Sequence, residues 1–160
     1  MGKIFLFLAY LFLAFSVCAA ENSESFSPAP GVKAVVEIKG NHLMWKTYYR
    51  NGSAQGDVSI DTEKVIHINV DSYDFSGKYG FSVWHVDDGM GVYSIYRIFT
   101  FSSSDNKFVE RNPSSMCGDE FINLKVDKKR RRLVSTYWNN GVPKLCVTRF
   151  RSGEHGSTAE

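Results

Sequence analysis

After its first twenty residues the chain has no long apolar run, no stretch of helical period, little net charge and few residues that hold metals or act as nucleophiles. Each shortage excludes something. A membrane-spanning helix needs about 20 consecutive apolar residues, and without them the mature form has no membrane span. The 19 Lys and Arg nearly balance the 17 Asp and Glu. A nucleic-acid partner is therefore not expected, because phosphate contacts need a concentrated basic face. The single basic run, Lys128 to Arg132, follows Asp127 between two strand-like stretches and reads as a solvated hairpin turn.

Catalytic patterns are also missing. His42, His67, His85 and His155 are scattered, with no metal-ligand spacing. There is no GxSxG, and the glycines of Gly89-Met90-Gly91 do not open a helix that would cradle phosphate. Acids occur as neighbours, Asp87-Asp88 and Asp119-Glu120, with Glu110 at the end of a strand-like run. A glycosidase needs two carboxyls across a cleft, roughly 5–9.5 Å apart, with one kept protonated by a dry environment. Neighbours in one turn point apart and stay wet. No catalytic residue is assigned, although sequence leaves open a meeting of Asp88 with Glu110 or Glu120.

The first twenty residues form a separate unit. Lys3 supplies a positive start, Ile4 to Val17 is almost unbroken apolar sequence, and Cys18-Ala19-Ala20 presents small residues at a cleavage site. This is the anatomy of a cleavable signal peptide over residues 1–20. A lipoprotein signal anchored at Cys18 is the alternative, for which Phe15 and Val17 are poor matches. Loss of the segment removes Lys3 and lowers the basic count from 19 to 18. What is left suits one domain with its own core. Cys117 and Cys146 then stand as an even pair in an exported chain, so a disulfide is expected. It would close a loop of about thirty residues, worth on the order of 3 kcal/mol.

From Val32 onward, Val, Ile, Thr, Tyr, Phe and Trp fill short runs punctuated by Gly, Asn, Asp and Ser. Strands are expected at 33–39, 43–50, 57–60, 64–70, 80–86, 91–101, 107–111, 121–127, 131–138 and 144–149. Asn51-Gly52 and Asn140-Gly141 are turn dipeptides, and Ser102 to Asn106 is a polar turn. Residues 21–31 read as a flexible leader, 32–151 as one antiparallel all-β domain (a sandwich or a small barrel) and 152–160 as a disordered tail. Asp71-Ser72-Tyr73-Asp74-Phe75-Ser76-Gly77 has the alternation of a calcium loop but no late acid to close it. Asp71 and Asp74 are thus weak calcium candidates, and no other cofactor is implied.

Several motifs occur in one order: Phe81-Ser82-Val83-Trp84, then DDGMGVYSIYRIF from Asp87, KFVE, CGDEFINLKVDKKRR and CVTRF. Over roughly residues 57–150 the chain resembles small exported proteins related to the periplasmic immunity proteins of bacterial-killing type IV secretion systems. Those proteins inhibit lysozyme-like toxins that cut peptidoglycan, and their β fold is similar to that of i-type lysozyme inhibitors. The resemblance implies a non-catalytic periplasmic inhibitor with a peptidoglycan-degrading effector as its partner. The family often carries D-x-N-F-D-G-x-x-D before the FSVW-like strand. Its acids are replaced here by Ser72, Ser76 and Gly80, around Asp74, Phe75 and Gly77.

Related inhibitors insert a glycine-containing loop with a tyrosine into the enzyme cleft. The matching segment comprises Asp87, Asp88, Gly89, Met90, Gly91 and Tyr93. Glycines permit close approach, Tyr93 offers area with a polar tip, Met90 is an adaptable contact, and Asp87 and Asp88 would pair with cations on the cleft rim. The same residues also fit a plain hairpin turn with Tyr93 in the core. A second candidate loop contains Ser76, Gly77 and Tyr79. The alternatives are an exported enzyme acting on cell-wall glycan through Asp88 with Glu110 or Glu120, and a calcium- or glycan-binding envelope module.

Overall fold

The computed structural model describes residues 22–150. The expected signal segment with Cys18, His155 and the tail from Ser152 lie outside them. Within them the fold is all-β, as expected, with two antiparallel sheets and no α-helix. The first sheet is a meander of β1 (Asn22–Phe26), β2 (Lys33–Lys39), β3 (His42–Tyr49) and β4 (Gly52–Ser59), in that spatial order. The second comprises β5 (His67–Asp71), β6 (Gly80–Val86), β7 (Ser94–Ser102), β8 (Lys107–Arg111), β9 (Phe121–Asp127), β10 (Arg132–Asn139) and β11 (Val142–Thr148). Its order is β11-β10-β9-β7-β6-β5, with β8 also on β7, and it curls into a half-barrel.

Period-two alternation builds the first core. In β2, Ala34, Val36 and Ile38 are buried while Lys33 and Lys39 face solvent; in β3, Leu43, Trp45 and Thr47 are buried. This face meets Phe81, Val83, Phe99, Phe101 and Phe108 of the second sheet. The Phe81 ring stacks on Phe99 at 4.8 Å and meets Phe108 edge-on at 4.9 Å. Burying one such ring is worth about 2–3 kcal/mol. The Thr47 hydroxyl ties the layers together by donating to the Asn106 carbonyl at 2.6 Å.

A second core of Tyr73, Ile98, Phe121 and Leu133 fills the curl. It lies on the other face of β7, where β9 pairs only at Ile95 and Tyr96 while β8 takes Ile98 to Ser102. Asn123 sits at φ 51 where the β9–β10 register shifts. That bulge reverses the alternation, so Phe121 and Leu124 share one core although three positions apart.

The differences from expectation have local causes. The leader expected at 21–31 forms β1 from Asn22, paired with β2 from Asn22↔Ile38 to Phe26↔Ala34. Its polar side chains suit an edge strand, while Phe26 reaches Phe108 at 5.8 Å and Pro28 is fully buried. β4 starts at Gly52 rather than 57, because register with β3 carries a segment of low β-propensity. The turn before it is Arg50-Asn51, with Gly52 already paired to Tyr49. Asn140 and Gly141 do form the β10–β11 turn, at φ 50 and 77. Lys128 to Arg131 is the hairpin turn between β9 and β10.

Candidate functional site

The connection between β6 and β7 is a closed, internally bonded loop. The Asp87 amide donates to the Tyr93 carbonyl at 2.9 Å, and the Tyr93 amide returns to the Asp87 carboxylate at 2.8 Å. The Gly91 amide donates to the other carboxylate oxygen at 3.2 Å. These amide donors, the Tyr93 N–H foremost, hold the Asp87 carboxyl below its ordinary range. Gly91 takes φ 67, a conformation that favours glycine. Asp88 points away from the loop and accepts from the Glu63 amide and the Thr62 hydroxyl, each at 3.0 Å. Its carboxyl is likewise lowered, by the Glu63 N–H first.

Both acids therefore fasten the loop. Asp87 accepts a main-chain amide on each oxygen, whereas Asp88 uses Oδ1 for both of its bonds. The loop also presents apolar atoms: Met90 is 82% exposed and Val92 59%. Tyr93 is neither free nor in the core. It is half-buried, with its ring edge-on to Trp138 at 4.8 Å.

Trp138 carries the site beyond the loop. Sequence reasoning missed it, although an aromatic pair just before the Asn140-Gly141 turn was a usable signal. It stands at the end of β10 and lines an open groove of about 770 Å³ with Met116, Asp119, Glu120, Ile122 and Tyr137. One wall is the turn around the short 3-10 segment Ser115–Cys117. The disulfide between Cys117 and Cys146, with Cα atoms 5.8 Å apart, ties that wall to β11. The expected pairing is thus present, with a separation of 29 residues.

The other candidates are placed elsewhere. Ser76, Gly77 and Tyr79 lie in the β5–β6 connection, at the opposite end of β6. The seven residues of β6 put about 23 Å between the two loops. Tyr79 is half-exposed and held by its amide to the Pro28 carbonyl at 3.0 Å. In the same connection Asp74 accepts from the amide and hydroxyl of Ser76 at 3.0 and 2.7 Å. Asp71 instead accepts from the Ser72 amide and pairs with Lys128 at 3.0 Å. The two weak calcium candidates serve an Asx turn and an ion pair, and no cluster of three metal-ligating side chains occurs among the described residues.

Glu110 grips Arg97 through both oxygens, at 2.6 and 2.8 Å, while Arg97 also donates to the Ser59 carbonyl at 3.0 Å. Asp88 is held elsewhere, by Thr62 and Glu63. The carboxyls that the fold displaces, Asp87, Asp88 and Asp127, all move down, opposite to the need of a general acid. No helix among the described residues is long and apolar enough to cross a membrane.

No protein-family model matches the chain, and no characterised protein or solved structure matches it.

Proposed function

We propose that the chain is a periplasmic immunity protein that blocks a lysozyme-like peptidoglycan hydrolase by seating the Asp87–Tyr93 loop in its cleft. The observation that carries this reading is the preorganised projection of the loop. Its conformation is fixed by its own hydrogen bonds, while Met90 and Val92 stand out unsupported by any core. A rigid apolar tip loses little entropy on binding, so more of the contact energy appears as affinity. The disulfide suits an oxidising compartment, and DDGMGVYSIYRIF carries the resemblance to the immunity proteins. Tyr93 acts as a buttress, holding the loop against Trp138, rather than as the leading plug.

The test is affinity capture from lysates of the producing cells, using the chain without its first twenty residues and a Met90→Asp variant beside it. The expected result is a cell-wall hydrolase retained by the parent, inhibited by it at one-to-one stoichiometry, and released by the variant. Clearing of peptidoglycan by the protein alone, with no hydrolase captured, would overturn the reading in favour of an enzyme.

A further inference from the structure

Exposed apolar side chains gather at one end of the second sheet. Val86, Met90, Val92, Met116, Trp138 and Val142 are all at least 36% exposed and come from strand ends and connections on that side. Such a concentration on a small domain marks a contact surface. It surrounds the groove under Trp138, where Asp119 and Glu120 are both exposed. Among the described residues neither carboxylate has a hydrogen-bond or ion-pair partner. Asp87, by contrast, accepts a main-chain amide on each oxygen, and Asp88 takes two donors on Oδ1.

We infer that this groove is a pocket for an arginine side chain of the inhibited hydrolase, an inference that rests on the inhibitor reading. An aromatic wall beside two unspent carboxylates matches a guanidinium, which stacks on rings and donates in a planar fork. Charge complementarity selects the partner, since an enzyme working on an anionic wall polymer gains from cationic residues around its cleft. The chain is polarised to meet such a surface. β9 separates Asp119 and Glu120 from the basic turn at Lys128–Arg132 by about 23 Å. The acidic end therefore leads in an encounter with a cationic cleft. Continuity supports one interface, because Trp138 touches Tyr93 of the inserted loop and also lines the groove. The Cys117–Cys146 bridge anchors the acid-bearing wall against the edge strand.

The experiment needs no identified toxin. The full mature chain is titrated with N-acetyl-arginine amide, and with the neutral citrulline compound as control, while amide and indole resonances are followed by NMR. The expected result is movement of the Trp138 indole and of residues 119–122, with the citrulline compound about tenfold weaker. Asp119→Asn with Glu120→Gln should abolish the response without changing the rest of the spectrum. Absence of an arginine-specific shift at Trp138, or its persistence in the double variant, overturns the inference. A chain that binds the arginine compound but captures no hydrolase supports the pocket and refutes the inhibitor reading alone.

Discussion

Met90→Ala separates folding from binding at the tip of the loop. Met90 is 82% exposed, so the atoms lost beyond Cβ are almost fully hydrated in the free protein. Unfolding free energy should therefore change by no more than about 0.5 kcal/mol, as for an idle surface position. In a closed hydrolase cleft those atoms leave water, and their burial is worth about 1.5–2 kcal/mol. The dissociation constant should rise about 10- to 30-fold. Gly91→Ala is the companion. Its φ of 67 strains any L side chain, yet an added Cβ would meet nothing within 4 Å. The expected loss is about 1 kcal/mol of backbone strain, or about fivefold in affinity if the cleft demands the same conformation. The assay is the rate at which the captured hydrolase clears a peptidoglycan suspension, measured against inhibitor concentration, with urea unfolding of each variant in parallel. Unchanged inhibition by Met90→Ala with unchanged stability would remove the tip from the interface and refute the insertion geometry. A stability loss above about 1 kcal/mol would refute the claim that Met90 is idle in the fold.

Three further outcomes are expected. Replacing Cys117 and Cys146 by alanine should cost about 3.5 kcal/mol by the loop-entropy model for a separation of 29 residues, read as a lower urea midpoint; an unchanged midpoint would show that the bridge constrains nothing in the unfolded chain. Tyr73 is pushed up to about 12, mainly by burial within the second core. Its contribution is complete below the unfolded value of 10.0 and is lost as pH rises through the folded one, so stability should fall by about 2–3 kcal/mol between those limits. Titration of the Tyr73 phenol near its ordinary value would contradict this. The Asp87 carboxyl is lowered from 3.8, so its hold on Gly91 and Tyr93 is complete above that pH and fails only as pH drops through the folded value. Amide protection at those two positions should persist to about pH 4 and weaken below it; loosening at pH 5 to 6 would assign the loop's order to some other group.

The strand pattern was legible where period two is clean. KAVVEIK and KFVER occupy β2 and β8 at their expected bounds, and FINLKVD keeps its bounds as β9 although a bulge at Asn123 breaks its alternation. It failed where pairing rather than propensity makes the strand, as in NSESF and GSAQGDVS, which lie along better strand formers and borrow their register. The disulfide was readable from cysteine count and export anatomy, and the structure brings the pair to bonding distance. The Asp87–Tyr93 segment was legible as a candidate loop because its glycines and acids break the run of apolar residues.

What sequence alone determined is the all-β class, most strand positions and the place of the projecting segment, all of which are local properties written in alternation and turn chemistry; the pairing of β9 with β7 rather than β8 was not among them. What each acid does was decided by tertiary structure. Asp87 and Asp88 look as free as Asp119 and Glu120 along the chain, and only folding brings amides to the first pair and an aromatic groove to the second. The physical reason is that a carboxylate's role depends on the donors within about 3 Å of it. Those donors arrive from 25 residues away for Asp88 and from 6 for Asp87. Trp138 joins Tyr93 by the same long-range assembly, since β9 lies between their strands in the sheet.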